Sequence, residues 1–267
     1  MIGAFLATFA RSLFLQTLWN FERMQNAGFA FSMAPLLRKV YVRRDFYLRA
    51  LRRNLNFFNT HPYFGPIVMG VVYSKEKARG GETAEPDPTL AVLKDSMGGA
   101  FGAIGDHVIW GTWRPFCAIL ALCAGILIAF PSSRISMRPN FFDPLSAGIC
   151  AKWWIAGFLG MFNSVHLWIR WRGLHKAITE GPAVVQWVKS LHLQAWAAQM
   201  RRLGLLLLAA MAMLYLSHWT SSELLIWMVA VLLGTMILKR WAVTGTAIFY
   251  TVCAVAYAMT YLELHWP

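Results

Sequence analysis

The sequence predicts an all-α integral membrane protein. Hydrophobic residues make up 58% of the 267 residues, charged residues make up 14%, and the mean hydropathy is +0.48. A soluble domain carries about 25% charged residues, so this composition argues against a cytosolic enzyme, a disordered chain and a coiled coil. Long apolar stretches with tryptophans near their ends match membrane spans that are bounded by aromatic belts.

The net charge of +13 and the pI near 10.0 suit either a nucleic-acid-binding protein or a membrane protein with basic cytoplasmic loops. The apolar composition favours the second class, so we expect no nucleic-acid partner. The cysteines lie in apolar stretches, and no two of them form a C-x-x-C pair; they are Cys117, Cys123, Cys150 and Cys253. We therefore expect neither a disulfide framework nor a metal site.

Residues 1–58 are predicted to form basic amphipathic helices at the cytoplasmic membrane interface. In the first helix, one face carries Ile2, Phe5, Leu6, Phe9 and Leu13, and the other carries Thr8, Arg11 and Ser12. The alternative for this helix is an ordinary core-facing helix. Residues 36–58 are predicted to form a second, basic helix that meets anionic lipid or a partner protein.

Residues 59–115 are predicted to form a re-entrant core of two broken hydrophobic segments. The first, residues 62–73, is too short to span a membrane as a helix, and a polar loop over residues 74–95 follows it. The second, residues 96–113, contains five glycines. Such segments can enter the membrane where protein or a water-filled cavity satisfies their backbone, and in transporters they mark the binding site. The alternative is ordinary loops in a membrane-attached domain.

Residues 116–267 are predicted to contain about five transmembrane helices and an interfacial segment at residues 170–202. The predicted spans are residues 116–130, 147–169, 203–219, 224–238 and 242–262. With the N-terminus in the cytoplasm, all but three of the 25 Lys and Arg residues lie inside, the exceptions being Arg134, Arg138 and Lys152. The positive-inside rule therefore predicts a multi-pass protein with a cytoplasmic N-terminus.

Polar residues within the broken segments are the candidate substrate site. Asn59, Thr60 and His61 open the first segment, and Asp106 and Trp110 lie in the second. The polar side chains offer hydrogen-bond donors and acceptors, which a neutral polyhydroxy ligand requires. The tryptophan offers an apolar face to a sugar ring. An ionisable residue at membrane depth is also a functional candidate by default.

Each of these residues also has a structural alternative. Asn59 and Thr60 are suited to satisfying a turn before Pro62. Asp106 is suited to capping a half-helix or to pairing with Arg114. The residue patterns alone leave the functional and the structural roles open.

No complete enzyme active site is visible in the sequence. Glycines 99, 102 and 105 are not followed by the Lys and Ser or Thr of a phosphate-binding loop, and H-E-x-x-H and G-x-S-x-G motifs are absent. We therefore expect no catalytic residue and no cofactor on this chain, and we disfavour a stand-alone membrane enzyme.

Three motifs resemble the enzyme IID component of mannose-type (mannose/fructose/sorbose family) bacterial phosphotransferase systems. They are NFERMQNAGFAFSMAP at residues 20–35, FFNTHPY at residues 57–63, and GAIGD at residues 102–106 continuing through WGTWRP at residues 110–115. Looser similarity continues through residues 162–163 and 173–191. The link over residues 217–223 is shorter than the family often has.

The resemblance implies a non-phosphorylated membrane subunit in the bacterial cytoplasmic (inner) membrane. Such a subunit pairs with enzyme IIC to form the pathway of a hexose-type sugar, while the soluble IIA and IIB modules carry the phosphate. It implies a hetero-oligomer in contact with lipid, and a basic cytoplasmic face suited to docking phosphorylated IIB. An alternative remains open, in which the chain is a scaffold that holds IIC and docks IIB without binding sugar.

Overall fold

A computed structural model describes residues 1–80, 88–129 and 144–218, together with the isolated positions 234 and 237. The chain divides into two compact units, Met1–Leu208 and Ala209–Pro267, and all contacts given below lie within the first. In the described part of the chain the regular elements are helices, which confirms the predicted all-α class.

The described α-helices are α1 (Ile2–Ser12), α2 (Asn26–Val40), α3 (Arg44–Arg53), α4 (Gly65–Ala78), α5 (Pro88–Gly105), α6 (Arg114–Ala129), α7 (Pro144–Glu180), α8 (Val184–Ser190) and α9 (Leu193–His218). A π-helix, Asp106–Trp113, joins α5 to α6, and a 3₁₀ turn, Gly181–Ala183, joins α7 to α8.

The short helix α4 is the centre of the first unit. Residues 60–73 are all buried, and α4 packs against α2, α5 and, most extensively, α7. Close approach to α7 depends on Gly70, because a Cβ there would lie 2.5 Å from the Cβ of Ala177. The first predicted broken segment is therefore enclosed by other helices, as a short segment at membrane depth would have to be to keep its backbone groups away from lipid.

Helix α1 turns its small polar face and part of its apolar face inward. Thr8 and Ser12 are fully buried, and two of the five large apolar side chains, Phe5 and Phe9, are partly buried against the core, whereas the other three are exposed. The sequence pattern identified the amphipathic helix, and the structure shows that its small polar residues meet the protein. Small residues allow close helix packing, and in a membrane protein the apolar face is free to meet lipid.

The N-terminal helices differ from the sequence prediction in their boundaries. The predicted helix over residues 36–58 is two elements, because α2 ends at Val40 and α3 begins at Arg44 after an extended residue, Arg43. The predicted loop over residues 74–95 is shorter, since α4 continues to Ala78 and α5 begins at Pro88. Residues 81–87 lie outside the described residues.

The prediction that residues 96–113 are broken is wrong, because the chain is helical throughout this segment. Residues 96–113 belong to one helical stretch, Pro88–Ile128, which is the one stretch in the described residues long and apolar enough to cross a membrane. Gly98, Gly102 and Gly105 provide packing space on one face of the helix instead of turns. A straight helix of 41 residues would be about 60 Å long, twice the hydrocarbon thickness, so only part of this stretch can span.

Residues 170–202 do not form one interfacial helix. Helix α7 carries the predicted span over residues 147–169 on to Glu180, and the short α8 and the start of α9 occupy the rest. Helix α9 covers most of the predicted span over residues 203–219. The last two predicted spans, residues 224–238 and 242–262, lie outside the described residues apart from two positions.

Candidate functional site

Residues 59–61 are fixed by a side chain from the N-terminal region. The buried Gln25 donates from Nε2 to the Thr60 carbonyl oxygen at 2.7 Å, and its Oε1 accepts from the Thr60 N–H at 3.3 Å. The Gln25 N–H also donates to the Phe58 carbonyl oxygen at 2.8 Å. One residue therefore satisfies three backbone groups of this irregular segment, which has no regular ladder of its own.

On the opposite side, residues 59–61 pack against a face of α5 that consists of glycines. Gly98, Gly102 and Gly105 lie at helical spacing. A Cβ at Gly98 would lie 2.9 Å from the Asn59 carbonyl oxygen, and one at Gly102 would lie 3.7 Å from the Thr60 Cα. A Cβ at Gly105 would overlap the Cβ and Cγ of His61. The glycines thus allow the polar segment to lie directly on the helix backbone.

His61 is the most enclosed polar residue of the segment. It is 1% exposed, and its Nδ1 accepts a hydrogen bond from the Tyr63 N–H at 3.3 Å. With Nδ1 as acceptor, a neutral ring carries its proton on Nε2 and presents a donor there. That Nε2, the Thr60 hydroxyl and the Tyr63 hydroxyl are buried without a hydrogen-bond partner among the described residues.

The π-helix places Trp110 beside His61, with ring centroids 5.0 Å apart. Its wider turn is held by the Thr112 hydroxyl, which donates to the His107 carbonyl oxygen at 3.0 Å. Arg201 of α9 lies 3.2 Å from the His107 ring and from the Thr112 hydroxyl. Single π-turns inside α-helices occur frequently at functional sites.

Trp110 also lines an open groove of about 510 Å³. The groove lies between the start of α6 and the middle of α7, and its other lining residues are Arg114, Pro115, Ala118, Trp154, Ile155, Phe158 and Leu159. It is mainly apolar, with one cation at its edge. Its volume falls within the range of small-molecule sites, and Trp110 connects it to His61.

The predicted site residues therefore fall into two groups. Thr60 and His61 are buried against α5, whereas Asn59, Asp106, Trp110 and Arg114 are exposed around them. The two predicted clusters do meet, since His61 lies on Gly105, next to Asp106. Asp106 and Arg114 are both exposed, and the described salt bridges do not include a pair between them.

The structure adds a buried polar chain that the sequence did not reveal. The His166 ring stacks on Tyr63 with centroids 4.0 Å apart and accepts a hydrogen bond from Arg170. The 2%-exposed Arg170 also donates to the carbonyl and hydroxyl oxygens of Ser12. The signal available in the sequence was a single arginine directly after a predicted span, and its distant partner on α1 could not be found by spacing.

A family comparison gives this arrangement its context. A model of the PTS system mannose/fructose/sorbose family IID component matches residues 3–127, which include the segment at 59–61, the glycine face and the π-helix. The PTS system mannose-specific EIID component of Escherichia coli (strain K12) is 32% identical over 213 residues, which are 79% of this chain. The chain belongs to this IID family. It spans 66% of the length of that Escherichia coli protein.

Other relatives and solved structures agree with a membrane IID component. The fructose permease IID component of Bacillus subtilis (strain 168) is 26% identical over 80% of this chain and 68% of its own length. Two solved structures match 97% of both chains at 25% identity. One is a membrane protein with a TM-score of 0.62, and the other, with a TM-score of 0.54, is from a complex of the mannose transporter ManYZ with microcin E492.

The N-terminal motif of this IID chain acts as a clamp on the segment that follows α3. Asn26 donates from Nδ2 to the Leu55 carbonyl oxygen at 2.8 Å, and Asn20 donates to the Asn26 side chain at 3.1 Å. From α5, the buried Lys94 donates to the carbonyl oxygens of Asn54 and Asn56 at 3.2 and 3.3 Å. The family motifs therefore hold residues 54–60 between α2 and α5.

Proposed function

We propose that this chain is the membrane subunit that, with an enzyme IIC partner, binds and translocates a hexose-type sugar while enzyme IIB phosphorylates it. The observation that carries the proposal is the meeting of His61 with Gly105 at the end of α5 and with Trp110 of the π-helix. Relatives named for mannose, sorbose and fructose support a sugar of this class. The chain itself then carries no phosphoryl group.

The chemistry of the exposed site residues suits a neutral polyhydroxy ligand. Asn59 offers hydrogen-bond donors and an acceptor, and Asp106 offers an acceptor. Trp110, at 5.0 Å from His61, provides the flat apolar surface that packs against a sugar ring.

The partners follow from the same proposal. The exposed site residues and the open groove leave one side of the sugar to be contacted by IIC, so the working unit is a hetero-oligomer in the bacterial inner membrane. The soluble IIA and IIB modules approach from the cytoplasm, where the positive-inside rule puts the N-terminus.

Equilibrium binding of the transported sugar to the purified IIC–IID complex tests the site. Asn59→Ala and Asp106→Asn remove exposed polar groups and should weaken binding at least about ten-fold while the complex still assembles. The matched controls are Asn56→Ala and Asp95→Asn, exposed residues of the same types close by in the chain that lie outside the proposed site. Equal affinities for all four variants would place the sugar elsewhere, most directly in IIC.

A scaffold without a sugar site is the second candidate function. It is favoured by the exposed basic residues around α3, which suit docking of an acidic surface such as that of phosphorylated IIB. In that case, both site variants would bind and transport sugar like the parent. Loss of IIB binding on removal of the basic residues would support it.

A further inference from the structure

The end of α2, the turn after it and the outer face of α3 form a basic surface that the sugar site does not use. Its exposed cationic residues are Arg38, Lys39, Arg43, Arg44, Arg49 and Arg52. The one acidic residue of α3, Asp45, is paired with Arg43 at 2.9 Å. The positive charge of this α3 basic surface is therefore largely unbalanced within its own element.

Large aliphatic side chains stand between these cations. Val42 is 95% exposed, and Leu48 is 40% exposed. Leu48 lies one turn after Arg44 and one turn before Arg52, so the three share one stripe of the helix. Cations that alternate with exposed aliphatic side chains on one helix are typical of helices at a membrane interface.

Aromatic rings support two of the guanidinium groups beside a cleft. The Arg38 guanidinium lies 4.9 Å from the Tyr47 ring centroid, and that of Arg43 lies 4.5 Å from the Phe46 ring centroid. A cleft of about 680 Å³ opens next to them, lined by Arg38, Tyr41, Val42, Arg44, Tyr47 and Leu48. It has room for a phosphate-bearing headgroup within reach of two arginines.

We propose that the α3 basic surface binds the anionic phospholipid headgroups of the bilayer that surrounds the protein. The cations neutralise lipid phosphates, and Val42 and Leu48 enter the boundary between headgroups and acyl chains. An acidic protein partner is the alternative, but the bilayer surrounds a membrane protein at all times and offers both phosphates and an apolar layer to a single face. The bound lipid anchors α3, and through the contacts of α3 with α2 and the bond from Arg53 to Glu76 of α4 it steadies the clamp on residues 54–60.

Lipid selectivity of the full-length protein tests the proposal. Protein in detergent is mixed with equal amounts of phosphatidylglycerol and phosphatidylcholine, and the retained lipids are counted by native mass spectrometry. The parent should retain phosphatidylglycerol preferentially. The triple variant Arg44→Gln/Arg49→Gln/Arg52→Gln should lower the ratio of the two lipids at least about ten-fold, since it removes three of the six exposed cations of the surface.

A matched control removes the same charge elsewhere. Arg172→Gln/Lys189→Gln/Arg202→Gln takes three exposed cations from α7, α8 and α9 and should leave the ratio as in the parent. An equal loss in this control, or no preference in the parent, would overturn the proposal. The parent measurement requires no substitution, so the test holds even if the triple variant folds badly.

A second measurement locates the surface. A bimane label on Leu48→Cys, after replacement of the native cysteines, is followed in nanodiscs with and without phosphatidylglycerol. We expect a blue-shifted emission and quenching by spin-labelled lipid only with the anionic lipid. If the emission does not change with the lipid but changes when a soluble IIB module is added, the surface binds a protein partner instead.

Discussion

His61 lies directly on the backbone of α5 because residue 105 has no side chain. A Cβ at Gly105 would overlap the His61 ring, so Gly105→Ala must displace either the ring or the helix. We expect a loss of about 1–3 kcal/mol in the free energy of unfolding, together with weaker sugar binding. Thermal unfolding in detergent and equilibrium sugar binding measure the two effects.

Gly99→Ala is the control for this change. It lies on the same helix with nothing within 4 Å of its added Cβ, so it should be neutral or stabilise by up to about 1 kcal/mol through helix propensity. If both alanine variants unfold at the same temperature, the close packing of His61 on α5 is not a constraint.

Gln25 is predicted to be as important for the site as any residue in it. Gln25→Ala leaves the buried N–H and carbonyl oxygen of Thr60 without their partner, at a cost of about 1–3 kcal/mol. We expect faster hydrogen exchange at Thr60 and weaker sugar binding in the assembled complex. The exposed Gln16→Ala should change neither, and a similar effect of both variants would argue against a specific clamp.

The sequence predicted which polar residues lie close together better than it predicted what holds them. Polar residues in apolar surroundings are visible in a sequence, and residues 59–61 and 106 were selected in this way as a candidate site. Gln25, Lys94 and Arg170 donate hydrogen bonds to backbone groups that are 35 to 158 residues away in the sequence. The local sequence around each donor does not predict such a buried partner. Their roles depend on the tertiary fold.

Helix α3 is fastened to α4 by one buried ion pair. Arg53 donates to both oxygens of the Glu76 carboxylate at 3.1 Å, and Tyr41 donates to the same carboxylate. Burial and, to a smaller extent, the hydrogen bond to Glu76 raise the pKa of Tyr41 to about 12. The phenol therefore remains a hydrogen-bond donor at neutral pH. The pair joins the basic surface to the centre of the first unit.

Arg53→Ala should therefore detach α3 from α4. Glu76 is 2% exposed in its side chain, so removal of its partner leaves a buried charge, at a cost of about 3–5 kcal/mol. Denaturant unfolding in detergent measures this cost. Lys176→Ala breaks the more exposed pair with Glu180 and should cost only about 0.3–0.5 kcal/mol. Comparable losses in the two variants would show that the Arg53 pair is not structural.

At the level of the helices, the spacing of apolar residues predicts that a helix forms but does not predict which of its faces is buried. The helical spacing in residues 2–13 identified an amphipathic helix, but the inward face could not be predicted, because lipid and protein interior are both apolar. The glycines of residues 96–113 suggested a break in the helix, and this ambiguity could not be resolved from the sequence either. A glycine at a tight helix contact and a glycine in a turn look alike in one sequence.

At the scale of the molecule, the prediction that remains to be tested is orientation. The charge count puts residue 83 in the cytoplasm and residue 221 outside, both beyond the described residues. Thr83→Cys and Ser221→Cys, in a chain without its native cysteines, are treated with an impermeant thiol reagent in whole cells. We expect labelling at 221 only, with both positions labelled after lysis. Labelling at 83 in intact cells would reverse the topology.

The contact between Arg170 and Ser12 has a consequence for how the protein is made. The first helix is secured by a side chain that leaves the ribosome 158 residues later, which takes on the order of ten seconds at ordinary rates of synthesis. During that interval, α1 can pack only on α2, on α4 and on the lipid surface. A chain truncated before residue 170 should therefore expose α1 to proteases that spare it in a chain truncated after residue 190.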